Sequence, residues 1–391
     1  MSEGFFNLDE IQTDTCGQQC KLNGTCKHPY MKVSGKGKLD IMIVGEAPGS
    51  YEDERGMLWV GRTGKLLARE TKRLDVDLHQ DCWTTNAVAC CPPGNRKPTL
   101  IEIDACRPRV INAIKEKQPC VVILLGDSAI QSVIGRTWKD KIGQVSRWRG
   151  QTIPDPELDC WLCPTWHPSH IAREKQKGAV NVIWRQDLER AFDLIEADVP
   201  IYGPHQINVI TDLTMPLKHY VASANTNGVW AIDYETSGIK PDGEEHFIHT
   251  MAISNSVHTF AFPMTGRMDA WQDFVSSGNF AFVAHNAKFE ERWTRASLGT
   301  EVRRWQDPHG DTMLNAHVLD NRRGICSLEF QAYINFGIPP WGTEMKPFLR
   351  TTENTGINNI KKAPLTKLLH YNGMDALTTH LLWQKQTERL K

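Results

Sequence analysis

Strand-like and helix-like segments alternate along this chain in two runs, separated by the Pro- and Gly-containing stretch ADVPIYGP at residues 197–204. Before the break, LDIMIV (39–44) and CVVILL (120–125) read as strands, a helical stretch begins at about Gly64, and a short helix follows Asp127. Thr99 stands three residues ahead of Glu102, the spacing of a capping box, so a helix carrying IEIDACRPRVINAI and Cys106 starts there. Gly135 is a stop for the later short helix. Beyond the break, strand signals resume at Ile207 and again at VWAIDY. This alternation is the pattern of α/β domains. The 391 residues, 40% of them hydrophobic, suffice for two separate cores of roughly 150 to 200 residues each. The expected division is residues 1–198 and 199–391.

Charge is balanced, 45 basic against 46 acidic residues, so composition does not mark a nucleic-acid binder and any DNA contact must use local basic clusters. Arg147-Trp148-Arg149, Arg303-Arg304 and Arg322-Arg323 fit phosphate contacts and ordinary solvated surface equally well. The N-terminal MSEGFFNLDEIQTDTCG has neither a basic start nor a continuous apolar run, and no later run could span a bilayer. A cytoplasmic protein without a membrane partner is expected. Ten of the eleven cysteines lie at or before Cys163, leaving only Cys326 beyond. In a reducing cytosol they point to metal binding, catalysis or burial rather than to a disulfide framework.

In VWAIDYETSG, Asp233 and Glu235 are two apart on a strand, which turns both carboxylates to one face. FAFVAHNAKFEERW ends a second strand and enters a helix, putting Asn286 and Glu290 one turn apart, and LLHYNGMDALTTHLLW does the same for Tyr371 and Asp375. Oxygen ligands of this kind suit Mg2+ or Mn2+, and two such ions about 3.5 to 4 Å apart can hydrolyse a phosphodiester. Each piece alone reads as solvated acid rather than as a site.

Taken in order, IDYETSG, HNAKFE and YNGMD resemble the three motifs of the DEDD-type exonuclease domain of family A DNA polymerases, over roughly residues 205 to 391. The resemblance implies an RNase H-like α/β fold and 3′ to 5′ hydrolysis of DNA with two Mg2+ or Mn2+ ions. It implies that Asp233, Glu235, Glu290 and Asp375 hold the metals and that Tyr371 orients the attacking water. Asp311 and Thr312 of GDTMLNAHVLD would begin a mainly structural helix. Glu290 stands where that family usually has aspartate. His370, five residues before Asp375, also fits the histidine-using branch, but Tyr371 shares the helix face of Asp375, so His370 is read as structural.

In the first half, LDIMIV runs into GEAPGSYEDERGMLWVGRTG, a Gly-rich loop at the C-terminal end of a strand, where open α/β sheets place their sites. It is neither GxGxxG nor GxxxxGK[ST], which excludes the usual nucleotide fingerprints. CWLCPTW delivers His167 to a second such position, with Pro168 setting the following turn. GEAPG, LWVGRTG, TNAVACCPPGNRKP and HPS, in this order, are similar to family 4 uracil-DNA glycosylases over roughly residues 14 to 195. The resemblance implies a three-layer α/β/α fold and cleavage of the glycosidic bond of a flipped uracil in DNA. It implies that Asn86 hydrogen-bonds the uracil edge, Trp59 stacks on the ring, His167 donates to the departing anion, and Glu46, with Glu52 behind it, faces the cationic sugar or positions water. Trp59 and Leu58 stand where phenylalanine and proline are usual, and Ala47 occupies the place of the family 1 catalytic aspartate. A 4Fe-4S cluster is implied on Cys16, Cys20, Cys90 and Cys106, with Cys26 in reserve; by composition alone four thiolates suit zinc equally. Cys91 and the Cys160/Cys163 pair read as packed thiols. An arrangement of this kind at the front of some phage polymerases implies a phage replication or repair role, free-standing or beside a separate DNA polymerase subunit.

Overall fold

The computed structural model describes residues 16, 20–174, 178–200, 202, 207–210, 228–243, 246–264, 268–276, 280–351 and 356–391. Residues 1–15, and Ile201, Gly203 and Pro204 of the expected break, lie outside the described residues. The chain divides into two compact units, Met1–Ile201 with Ile334–Gly337, and Tyr202–Tyr333 with Ile338–Lys391. No helix among the described residues is long and apolar enough to cross a membrane.

Six strands make the sheet of the first unit: β1 (Ser34–Gly35), β2 (Ile41–Gly45), β3 (Cys82–Asn86), β4 (Val121–Leu125), β5 (Ile153–Asp155) and β6 (Cys160–Thr165). Their order is β1-β3-β2-β4-β6-β5, with the four inner strands parallel and the outer two antiparallel. Parallel strands covered on both faces need apolar side chains at every position, which is why IMIV and VVILL are unbroken runs. All of Ile41–Val44 and Val121–Leu125 are fully buried. The helices are α1 (Ser50–Arg55), α2 (Arg62–Lys72), α3 (Leu100–Lys117), α4 (Asp127–Val133), α5 (Val145–Trp148), α6 (Pro168–Arg173) and α7 (Gly178–Phe192). Ile41, Ile43, Val121 and Ile123 pack with Leu67 of α2, Ile171 of α6, and Trp184 and Leu188 of α7. The alternate residues are equally buried on the other face, giving three layers, α/β/α.

The capping box is formed: the Thr99 hydroxyl accepts the Glu102 N–H at 3.3 Å, and the Glu102 carboxylate accepts the Thr99 N–H at 2.8 Å. Helix α4 ends before Gly135 and runs on as a 3₁₀ turn, Ile134–Arg136.

The second unit holds β7 (Ile207–Val209), β8 (Val229–Thr236), β9 (Ile248–Ser254), β10 (Thr259–Pro263) and β11 (Ala281–Val283) in the order β11-β8-β9-β10-β7. Strand β9 is antiparallel to β8 and β10, whereas β11 and β7 are parallel to their neighbours. Strand β8 thus has one antiparallel neighbour, β9, and one parallel neighbour, β11, in a mixed α/β sheet. Its helices are α8 (Met268–Ser276), α9 (Ala287–Trp293), α10 (Thr312–Leu319), α11 (Leu328–Phe336), α12 (Lys346–Leu349) and α13 (Leu365–Leu390). Trp230, Ile232 and Tyr234 of β8 pack on Trp271 and Phe274 of α8 and Trp293 of α9. On the opposite face Ala252 and Ala261 pack on Leu369 and Ala376 of α13. The period of two therefore turns Asp233 and Glu235 toward α13.

Candidate active sites

Glu46, Ala47, Glu52, Trp59, Asn86 and His167 all line one cavity of about 270 Å³ in the first unit. Strand β2 ends at Gly45 and β3 at Asn86, paired side by side, so both following loops open at the same edge of the sheet. Gly45 is required there: a Cβ would lie 2.4 Å from Asn86 Oδ1 and 2.6 Å from the Trp59 ring. Trp59 adopts a left-handed φ of 60°, and Gly64 lets α2 come against its carbonyl, where a Cβ would be 1.8 Å from the oxygen. The Trp59 and His167 rings are 6.0 Å apart, so the cavity has an aromatic wall.

The carboxylate of Glu46 accepts the Ser128 hydroxyl at 2.9 Å. Glu52 accepts the backbone N–H of Gly49 at 2.8 Å and that of Trp59. Burial raises its pKa and these N–H groups oppose the rise. Glu52 thus clamps the start of α1 to the loop that carries Trp59. His167 caps α6, with Nδ1 accepting the Ser169 N–H at 3.2 Å and lying 2.9 Å from the Ser169 hydroxyl. A backbone N–H only donates, so Nδ1 bears the lone pair and the neutral ring carries its proton on Nε2. Burial, with Arg173 nearby, brings the His167 pKa down to about 4.

Beside the cavity, Cys20, Cys90 and Cys106 are buried with half-buried Cys16 and Cys26 in one cluster with Leu22, Val88 and Ile103. Burial, reinforced by Cys106 and Cys20, pushes the Cys16 thiol up to about 11; burial, with Cys26 and Cys106 close by, pushes Cys90 up to about 12. Thiols crowded this way form thiolates only when a metal centre takes up the charge. The Tyr30 N–H points at Cys90 Sγ from 3.4 Å, and an all-sulfur donor set in an apolar shell fits an iron–sulfur cluster or zinc. Cys26 faces Cys90 while Cys16 faces Cys20 and Cys106, so five thiols stand where four ligands are needed.

In the second unit, ligand oxygens of Asp233, Glu235 and Asp375 lie within 4.8 Å of one another. Glu290, in the first turn of α9, is buried, and its Oε2 has no hydrogen-bond partner. Burial raises all four carboxyls, Asp233 to about 7, and their mutual repulsion raises Glu235, Glu290 and Asp375 further. Among the described residues no Lys or Arg pairs with any of them. Acids gathered without a cationic partner have the chemistry of a divalent-cation site. The Tyr371 side chain hydrogen-bonds Asp375, whereas His370, the neighbour on α13, is exposed. Asp311 caps α10 and also accepts the N–H groups of Asn286 and Ala287, locking the entry to α9.

The profile of the uracil DNA glycosylase superfamily matches residues 32–189. The type-4 uracil-DNA glycosylase of Pyrobaculum aerophilum is 38% identical over 174 residues, covering 42% of this chain and 85% of that protein. The chain belongs to the type-4 uracil-DNA glycosylase family. The type-4 enzyme of Thermotoga maritima is 32% identical over 173 residues, covering 42% of this chain and 84% of its own. A DNA polymerase of Bacillus phage SP01 is 24% identical over 330 residues, 75% of this chain but 34% of the polymerase. Among solved structures, Brucella melitensis NrnC with bound Mg2+ aligns at a TM-score of 0.34 and 14% identity, over 47% of this chain and 82% of its own. Escherichia coli RNase D aligns at 0.36 and 10%, over 48% and 45%.

Within this glycosylase family member, several residues at the sites were not singled out in the sequence. Ser169, Arg173, Asn95 and Arg96 also line this cavity. Ser169 is the S of HPS and was legible as a cap partner of His167; Asn95 and Arg96 come from a loop that only the fold folds back. Asn372 and Trp341, which donate to Asp233 and Asp375, were likewise unread. Of the basic clusters, Arg149 is paired with buried Asp187, Arg147 lies over the Trp138 and Trp148 rings, and Arg322 is paired with Asp320, while Arg303 and Arg304 are exposed.

Proposed function

We propose that this chain excises uracil from DNA with residues 1–198 and hydrolyses DNA from the 3′ end with residues 199–391. The observation that carries the reading is the presence in one chain of both a cavity lined by Glu46, Asn86 and His167 and an acid cluster, Asp233, Glu235 and Asp375, whose oxygens lie within 4.8 Å of one another.

In the first unit, a flipped uracil stacks on Trp59 and is read by the Asn86 amide. As the bond between the sugar C1′ and the base N1 breaks, the pair of electrons leaves with the base. The neutral His167 stabilises that anion by donating from Nε2, and Glu46 faces the positive sugar until water adds at C1′. Ala47 offers no carboxylate, so water activation falls to Glu46 with Glu52. Family membership supports a 4Fe-4S cluster rather than zinc on Cys20, Cys90, Cys106 and Cys16, with Cys26 as the alternative fourth ligand.

In the second unit, Asp233, Glu235, Glu290 and Asp375 would hold two Mg2+ or Mn2+ ions, which when bound supply an activated water and stabilise the leaving 3′ oxygen. Tyr371 orients that water. Similarity to a phage DNA polymerase supports a place in phage DNA replication or repair in the host cytoplasm, beside a DNA polymerase subunit. The exchanges at Leu58 and Trp59 favour a second reading, in which the first unit binds uracil without excising it and delivers DNA to the exonuclease.

End-labelled DNA with one uracil, incubated with and without EDTA and then treated with alkali, separates these readings. Alkali-sensitive cleavage at uracil that persists in EDTA is expected, with a Mg2+-dependent ladder from the 3′ end. Binding of uracil DNA without cleavage would favour the second reading, and absence of both products would overturn the first.

A further inference from the structure

Besides Tyr371, which hydrogen-bonds Asp375, two neutral side chains touch the carboxylates of the acid cluster. The Asn372 amide donates to Asp233 Oδ2 at 2.7 Å and to the Asp233 carbonyl at 3.2 Å. The Trp341 indole N–H donates to Asp375 Oδ1 at 2.8 Å. Resting on the hydrolytic reading of the acid cluster, we infer that Asn372 and Trp341 are positioning residues that set the planes of the two aspartates before a cation binds.

Asn372 is fully buried, and its orientation is determined. Its Oδ1 accepts the Thr250 hydroxyl at 2.9 Å; turning the amide over would set that oxygen against the Asp233 carboxylate, two acceptors with no proton between them. Thr250 sits opposite Glu235 in the β8–β9 register. One amide therefore links α13, the strand carrying Asp233 and Glu235, and the strand beside it. Asn372 also lies between Tyr371 and Asp375 on α13, so a shift of that helix moves all three together.

The chemistry of the donors matters as much as their placement. A Lys or Arg at either position would hold the aspartate more strongly, but its charge would offset the attraction of the cluster for a divalent cation. An amide and an indole fix one oxygen each and add no net charge. With Oδ2 of Asp233 engaged by Asn372, its second oxygen is the better donor to a cation, while Trp341 and Tyr371 together fix the plane of the Asp375 carboxylate. Asp233 is thus biased toward one-oxygen coordination, the geometry that small, rigid Mg2+ favours over larger ions. Outer partners that orient metal ligands affect affinity or activity by about 10- to 100-fold.

The test uses the full chain and two readouts. Mn2+ binding without DNA is followed by the electron paramagnetic resonance of free Mn2+, and the Mg2+ concentration giving half-maximal 3′-end hydrolysis is titrated separately. Asn372→Ala and Trp341→Phe, which keeps an aromatic ring but loses the indole N–H, are compared with wild type and with Asp233→Asn. Weaker Mn2+ binding by about 10- to 100-fold, with the half-maximal Mg2+ concentration rising by the same factor, is expected for Asn372→Ala. A smaller change of the same direction is expected for Trp341→Phe. Wild-type Mn2+ affinity in both folded variants overturns the inference, even if thermal stability in EDTA drops, because that pattern belongs to plain packing. Should Asn372→Ala not fold, Trp341→Phe decides alone. If wild type itself binds no Mn2+ and matches Asp233→Asn, the hydrolytic reading falls first and the positioning role with it.

Discussion

The backbone N–H of Ser169 points at His167 Nδ1 from 3.2 Å, and this single contact decides which ring nitrogen of His167 can donate. With the pKa brought down to about 4 by burial, the imidazole stays neutral through the physiological range. Uracil excision should therefore be insensitive to His167 ionisation from about pH 5 upward, with an acid limb near 4 rather than near the ordinary 6.5. His167→Ala should lower kcat by about 100-fold with little change in KM. A pH–rate profile of uracil release with a break near 6.5 that vanishes in His167→Ala would contradict the neutral-donor role.

Glu290 is buried among three other acids with one oxygen unpartnered, so Glu290→Gln removes the proposed metal ligand together with the cost of burying a carboxyl beside other acids. Mg2+-dependent 3′-end hydrolysis should fall by at least about 10-fold, while excision in EDTA stays intact. Without metal the variant should melt higher, by about 2–4 °C for each kcal/mol of repulsion relieved. Calorimetry in EDTA checks the sign.

Cys106 extends from α3, and Cys20, Cys26 and Cys90 come from loops around it, so a cluster held there would pin those loops to the helix. Cys106→Ala should yield a colourless protein whose first unit unfolds at lower temperature. Comparing the visible absorbance of Cys16→Ala and Cys26→Ala identifies the fourth ligand: the variant that loses colour carried it.

Tyr371 touches Asp375, whereas His370 is exposed on the same helix. Tyr371→Phe should lower 3′-end hydrolysis by about 10-fold or more through loss of water orientation, and His370→Ala should leave it unchanged. Single-turnover rates at saturating Mg2+ distinguish the two; the reverse pattern would assign the site to the histidine-using branch.

His285 and His380 are both brought down to about 4 by burial, against 6.5 for a free histidine. Between those values the unfolded chain binds more protons at these two rings than the folded one, so they subtract from the stability of the second unit as pH drops from about 6.5 to 4, while the raised carboxyls of Asp233, Glu235, Glu290 and Asp375 bind protons in the fold and act in the opposite direction. Urea unfolding midpoints of wild type and His380→Gln, compared in EDTA across this range, isolate the share of one ring; a difference between the two that does not change with pH would mean that the ring is protonated in the fold.

Much of this protein was determined by its sequence alone. The unbroken apolar runs at Ile41–Val44 and Val121–Leu125 could only be strands buried on both faces, the Thr99/Glu102 box could only start a helix, and the two-residue spacing of Asp233 and Glu235 fixed their common face, because these are local consequences of backbone period and hydrogen bonding. What only the tertiary structure decided are the contacts between residues far apart in the chain. Cys26 stands beside Cys90 across 64 residues, Trp341 reaches Asp375 across 34, and Asn372 meets Asp233 across 139. Such partners carry no period or spacing in the sequence. They exist because packed helices bring neutral donors and thiols to one place, where a buried oxygen or sulfur must find a partner.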